Sequence, residues 1–127
     1  MDQRRRQKQL ALLLLFAVSA CGGDNEADER GIGAQCIKTE DCDVDLLQVC
    51  LPFKGGYCGE LGCTKDADCV EDAACIRHTD GMNYCFRTCV DKPNCNANRD
   101  VENESNCSSS VDFVEGAMGR KACVPPS

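Results

Sequence analysis

The sequence has no tryptophan, one histidine (His78) and an aromatic content of only 5%. Beyond residue 20 the large aromatics are Phe53, Tyr57, Tyr84, Phe86 and Phe113. A small domain with so few large apolar side chains cannot offset the entropy of ordering its chain by burial alone. There is no Cys-x2-Cys pair, which removes the close spacing that zinc sites and thioredoxin-like redox sites use; no metal or dissociable cofactor is expected. With His78 as the one candidate base, read as an exposed turn residue, and Ser108, Ser109 and Ser110 in a polar tract, no nucleophile–base pair can be assembled, and an enzyme is not expected. Positive charge is scarce: 14 Lys/Arg stand against 21 Asp/Glu, a net charge of −7. From residue 21 onward ten Lys/Arg face twenty Asp/Glu, a net −10 that repels phosphate backbones and excludes nucleic acid as a partner. The apolar stretch at residues 10–17, even with Val18 added, is far short of the ~20 residues that a membrane-spanning helix needs.

What the chain does have is cysteine, thirteen in 127 residues. The first of them closes an N-terminal pattern. Arg4, Arg5, Arg6 and Lys8 make a basic start, Leu10 to Ala17 a short apolar stretch, and Val18-Ser19-Ala20 precede Cys21. Basic, apolar, then small is the order of a secretory signal over residues 1–20. Val18-Ser19-Ala20-Cys21 resembles the lipobox of bacterial lipoproteins, an aliphatic residue and two small ones before a cysteine. The resemblance implies cleavage before Cys21, with a diacylglycerol thioether on its sulfur and an N-acyl chain on its amine. Two or more lipid chains suffice for stable anchoring, so the membrane becomes a partner through the lipid. Gly22 rather than Asp after the cysteine implies, by the same resemblance, the outer membrane of the cell envelope. Lipidation of Cys21 also turns an odd cysteine count into an even twelve.

Residues 22–35 are polar, acidic and glycine-rich, too weakly hydrophobic to order themselves. Residues 21–35 thus read as a lipidated flexible tether, spanning roughly 20 Å r.m.s.. Residues 36–127 form the expected disulfide-rich domain, since twelve cysteines among the residues after 20 make about 11%, the range of a disulfide scaffold. Such a scaffold needs an oxidising compartment.

The twelve cysteines fall into three units of four: Cys36, Cys42, Cys50, Cys58; Cys63, Cys69, Cys75, Cys85; and Cys89, Cys95, Cys107, Cys123. Each unit opens with an x5 gap, and the residue before its second cysteine is Asp41, Asp68 or Asn94, which favours an Asx-turn. The modules are 36–58, 63–85 and 89–123, the third with longer gaps, x11 and x15. In the first two the last gap holds Gly55-Gly56 or Asp80-Gly81, the signature of a tight hairpin turn, and a Tyr stands before the fourth cysteine. In the third, Gly116 and Gly119 do this more loosely. Asp43 to Val49 and Val111 to Met118 are long enough for a helical turn each. The expected fold is small and disulfide-rich: tandem four-cysteine modules of loops and short β-hairpins with little regular secondary structure.

From Cys36 to about Cys95 the pattern of an x5 gap, an acidic residue before the second cysteine and Tyr-Cys at the close resembles the cysteine-rich modules of Gram-negative lipoproteins. It is also similar to the N-terminal cysteine-rich region of Dickkopf proteins and to the colipase scaffold. This implies a disulfide fold and leaves activity open, since such folds serve as ligands, inhibitors and enzyme cofactors alike. Four cysteines per unit allow three pairings. The favoured one is first to third and second to fourth, because overlapping links tie the opening turn to both hairpin strands; pairing across units stays open.

Asp41, Asp43 and Asp45 alternate as in a calcium loop, but Leu46 stands where that loop needs Gly and Pro52 where it needs Glu, so calcium is not expected. The functional expectation is a non-catalytic, membrane-anchored module that binds an extracytoplasmic protein, with Phe53, Tyr57, Met82, Tyr84 and Phe86 as candidate ligand contacts. The alternative is a small protease inhibitor with a reactive loop at Leu51 to Tyr57 or Arg77 to Tyr84, centred on Lys54 or Arg77. A third reading is an envelope-stabilising role without a specific ligand.

Overall fold

A computed structural model describes residues 31–127. The expected signal segment, the lipidated Cys21 and residues 22–30 of the expected tether lie outside the described residues.

All twelve described cysteines are paired. The disulfides are Cys36–Cys50 and Cys42–Cys58, Cys63–Cys75 and Cys69–Cys85, and Cys89–Cys107 and Cys95–Cys123. Each module is therefore joined first to third and second to fourth, and no disulfide among the described residues crosses between modules.

The opening gap folds the same way three times. The Asp or Asn before the second cysteine turns back and accepts hydrogen bonds from the two backbone N–H groups that follow the first cysteine. Asp41 Oδ2 takes Ile37 N and Lys38 N at 2.9 and 3.1 Å. Asp68 Oδ2 takes Thr64 N and Lys65 N at 2.9 and 3.2 Å. Asn94 Oδ1 takes Val90 N and Asp91 N at 2.8 and 3.1 Å. A short carboxylate or amide satisfies donors that the tight turn leaves without backbone partners. The turn is 3-10 over Thr39–Asp41 and Asp66–Asp68, and widens to a short helix α1 (Lys92–Asn96) in the third module.

Each module then forms a hairpin that places its third and fourth cysteines directly opposite one another. Strands β1 (Val49–Leu51) and β2 (Tyr57–Leu61) pair Cys50 with Cys58. Strands β3 (Ala73–Arg77) and β4 (Asn83–Cys89) pair Cys75 with Cys85. Strands β5 (Asn106–Ser108) and β7 (Lys121–Val124) pair Cys107 with Cys123. The first hairpin turns at Gly55 and Gly56, with φ of 78° and 75°. A Cβ on Gly56 would drive into the Cys36 carbonyl oxygen, so only glycine fits. The second turns at Gly81, φ 89°.

These hairpins do not remain separate. They join one seven-stranded antiparallel sheet in the order β1-β2-β4-β3-β6, with β7 branching from β4 and carrying β5. Strand β6 (Asp112–Phe113) lies inside the long last gap of the third module and adds to the outer edge of β3, pairing Ile76 with Phe113. The expectation of loops and isolated short hairpins is thereby corrected. A hairpin alone is marginal in water; shared edges and a common apolar face stabilise all three. Val111 to Met118 holds β6 rather than a helical turn, and Val44–Leu46 is a 3-10 turn leading into β1.

The tether also ends earlier than residue 35. Ile32, Gly33 and Ala34 are buried, Gly33 N donates to Cys58 O and Cys58 N to Ala34 O. Residues 31–35 thus form an irregular strap along β2 rather than a free linker, because Ile32 and Ala34 bring apolar surface that the composition of the acidic segment masks.

Candidate functional surface

The aromatics gather rather than scatter. Tyr57, Tyr84, Phe86 and Phe113 are buried in one core with Leu51, Ile76, Ala74, Ala122 and the Cys95–Cys123 disulfide. Phe53 packs partly buried against it. Tyr84 and Phe86, two apart on β4, project to the same face and stack at 5.4 Å with rings 5° from parallel. Phe53 meets Tyr84 edge-on at 5.2 Å, and Tyr57 lies 5.0 Å from Phe86. This corrects the assignment of Tyr57, Tyr84 and Phe86 as ligand contacts. One core shared by three modules is large enough to absorb them, where three separate cores would not be. Of the five candidates Met82 alone is exposed. His78 is not a free turn residue either: it is half-buried, 5.3 Å from the Phe53 ring and 5.5 Å from Phe86.

Tyr57 is where the modules meet. It belongs to the first, its hydroxyl donates to Cys123 O in the third at 2.9 Å, and it accepts from Arg87 N, just past the second, at 2.9 Å. Complete burial pushes its ionisation well above the ordinary tyrosine value. Tyr84 is pushed up to about 12, by burial and by donating its proton to Asp80 Oδ2 at 2.7 Å. Asp80 is held below its usual range, first by the Met82 N–H and then by the Tyr84 hydroxyl. Tyr84 and Asp80 are thus bonded to one another within the second hairpin, and Tyr57 is held in the core.

Two arginines carry the third module's long gaps to their neighbours. Arg99, in the x11 gap, donates to Gly56 O at 2.8 Å, Lys54 O at 3.1 Å, Gly33 O at 3.3 Å and Asn103 O at 2.7 Å, and lies over the Tyr57 ring at 5.7 Å. The adjoining Asp100 N donates to Gln35 Oε1 at 2.8 Å. Arg120, in the x15 gap, pairs with Asp66 of the second module at 3.1 Å and covers Phe113 at 4.8 Å. Neither is marked in the sequence, because an arginine in a polar loop looks solvated until its fork of donors meets converging carbonyls.

The sulfurs sit close: within each module the first, second and fourth cysteines lie within 4.8 Å of one another. Each is bonded to another sulfur, and a disulfide sulfur is not the thiolate that soft metals take. Of the acidic triplet, Asp41 is committed to its turn. The two loops considered for a reactive segment are tight turns: Gly56 N bonds Phe53 O at 2.7 Å, and Gly81 N bonds His78 O at 2.9 Å.

The described surface also holds a cleft of about 410 Å³ between the first and second modules. One wall is Asp43, Leu46 and Gln48; the other is Val70, Glu71 and Asp72; Gly31, Ile32 and Arg87 also line it. Gln48 is only 2% exposed, and its Oε1 is buried without a hydrogen-bond partner. Nothing in the sequence marks this glutamine; an isolated amide between Leu47 and Val49 reads as a surface residue on an alternating strand. Comparison with family models, curated proteins and solved structures returned no match to this chain.

Proposed function

We propose that the chain is a cell-envelope lipoprotein: exported by residues 1–20, acylated at Cys21, and carrying on residues 31–127 a non-catalytic module that binds an extracytoplasmic protein. The observation that carries this reading is sulfur accounting. Twelve cysteines pair completely among themselves, and the thirteenth, Cys21, follows a basic, apolar and then small-residue sequence. A lone cysteine in an oxidising compartment invites unwanted disulfide exchange, and a thioether to lipid removes that thiol. Gly22 in the following position favours the outer membrane.

The non-catalytic part rests on side-chain use. His78 is packed among aromatics, and the shifted Tyr57, Tyr84 and Asp80 are spent on core and turn contacts. A rigid, heavily cross-linked acidic surface suits recognition: little ordering entropy is left to lose on binding.

Intact mass spectrometry of the protein purified from membranes tests the reading. The expected mass is that of residues 21–127 plus three acyl chains, less twelve hydrogens for six disulfides. A chain that retains residues 1–20, or a Cys21 thiol that reacts with iodoacetamide, would overturn the anchoring. In situ cross-linking in intact envelopes that returns lipid and no protein adduct would overturn the binding role.

A further inference from the structure

Most exposed apolar residues of the described surface stand apart along the chain, but those on the turn that leads into β1 do not. Val44 is 43% exposed, Leu46 48%, Leu47 79% and Val49 38%, four apolar side chains within six residues. Val44–Leu46 is a 3-10 turn, closed by Leu47 N donating to Val44 O at 3.0 Å. Leu47 ends it with a left-handed backbone, φ 62°. Glycine or asparagine adopts that backbone with less strain. The turn alone therefore does not call for a leucine, and a side chain so exposed adds nothing to the core.

We propose that this turn rests on the bilayer that the Cys21 lipid enters, with Val44, Leu46 and Leu47 seated at the boundary between headgroups and acyl chains. The proposal rests on the lipid-anchor reading above and gives the domain an orientation on the membrane. What carries it is where the described chain begins. Gly31 and Leu46 line the same cleft, so the segment that leads back to Cys21 leaves the domain beside the apolar turn. Nine residues, Gly22 to Arg30, separate Gly31 from Cys21, and those ten Cα steps cover at most about 35 Å in any conformation. The exit point is thereby held within about one domain diameter of the lipid. Gly22 to Arg30 includes no large apolar side chain, so that segment cannot itself cover the turn. Anchoring also supplies an effective concentration on the order of millimolar, at which a few apolar side chains hold a contact that a free domain would not. Asp45 lies within the turn, and Asp43, Glu71 and Asp72 line the cleft beside it. These carboxylates stay in the headgroup water and favour lipid without net negative charge.

The test uses the full lipidated chain, methyl-labelled, on phosphatidylcholine nanodiscs doped with phosphatidylcholine that is spin-labelled in its acyl chain. Methyl signals of Val44, Leu46 and Leu47 should broaden at least about three-fold more than those of Val101 and Met118. Those two are as exposed as Leu47 but belong to the third module, which contributes nothing to the cleft. Leu47→Asn keeps a residue that tolerates the left-handed backbone and removes the apolar side chain; it should cut the broadening at Val44 and Leu46 about two-fold or more. Replacing half of the phosphatidylcholine by phosphatidylglycerol should cut it as well, through repulsion of the carboxylates. Equal broadening at Leu47 and Val101 would overturn the proposal, since the domain would then have no preferred face. So would broadening at Val44 and Leu46 that Leu47→Asn leaves unchanged, which is proximity to the anchor alone, or broadening that grows on phosphatidylglycerol. Turn methyls shielded from a dissolved gadolinium chelate in native envelopes but not on the nanodiscs would also overturn it, and would assign the turn to a protein. The mass of the same sample separates the two readings. A chain without acyl groups on Cys21 sinks the anchor and the orientation together; an acylated chain without selective broadening sinks the orientation alone.

Discussion

The first two modules and the third use the same turn, the same pairing and the same hairpin register, yet they solve different problems. In the first two the gaps after the opening turn are short, 5 to 9 residues, and close their own hairpins. In the third, the gaps of 11 and 15 residues reach outward. The x11 gap sends Arg99 and Asp100 to the strap and turn of the first module; the x15 gap sends Phe113 and Arg120 to the strand and opening turn of the second. Extra chain length between cysteines is where these inter-module contacts are built. A degenerate repeat in the sequence is a clamp in the structure.

The sharpest way to break this comparison is through sulfur. Replacing both members of Cys95–Cys123, which closes 28 residues, should destabilise by about 3.6 kcal/mol from loop closure, against about 2.8 kcal/mol for Cys63–Cys75, which closes 12. The gap between them should widen further in Ala variants, because Cys95 and Cys123 lie in the shared core. Guanidinium unfolding of each double-Ala variant measures this. Equal losses would mean that the third module is no more central than the second.

Next is Arg99. Arg99→Ala should cost about 3 kcal/mol, since it strands the Gly56 and Lys54 carbonyls that the guanidinium now satisfies. Arg99→Lys should recover less than half, because an ammonium cannot present a planar fork to diverging acceptors. Comparable treatment of Lys54, which is exposed, should change stability by less than about 0.5 kcal/mol.

Tyr57→Phe, removing one hydroxyl from the point where three modules meet, should cost about 1 to 2 kcal/mol in the same assay. The two tyrosines also predict an alkaline signature. Both ionise at higher pH in the folded chain than the ordinary value of 10.0. The unfolded chain therefore loses those protons first, and stability that is complete below about pH 10 is lost as pH rises above it. Absorbance at 295 nm should stay flat past pH 10 in the native protein and rise at once after reduction and denaturation. Tyr84 should follow near pH 12 and Tyr57 only on unfolding. A native rise centred on pH 10 would place a tyrosine in solvent.

The smallest effects should be the most alike. Asp41→Ala, Asp68→Ala and Asn94→Ala each remove the same pair of backbone N–H bonds, to which Asp68 adds one from the Thr64 hydroxyl at 3.1 Å, and each should lower the unfolding midpoint by a small and similar amount. For Asp68 the effect should fade as pH falls through its titration, since backbone N–H donors hold that carboxyl below its usual range and its stabilisation exists only in the ionised form. A threefold disparity among the caps would mean that the opening turns are not equivalent.

The local features of this fold are legible in the sequence, and for a physical reason. Sulfur spacing and the Asp or Asn before each second cysteine act over a few residues, so the turns, the hairpin glycines and a disulfide-rich fold can be read along the chain. The shared sheet cannot. Whether Tyr57 faces solvent or a core depends on a partner 66 residues away, Cys123, and nothing near Tyr57 reports it. Aromatics that sequence marks as contacts are therefore the interior. Ile32 and Ala34 look like tether because their neighbours are acidic. Gln48 and Arg99 give no signal, since a buried polar residue differs from an exposed one only in what folds over it.

Native-state hydrogen exchange, with all six disulfides intact, tests most directly whether three modules form one body. A single body predicts that the slowest amides of all three hairpins, Cys58 in the first, Cys85 in the second and Cys123 in the third, open with one common free energy, and that Arg99→Ala lowers all three together. Three separate opening energies, or a loss confined to the first module in Arg99→Ala, would contradict it.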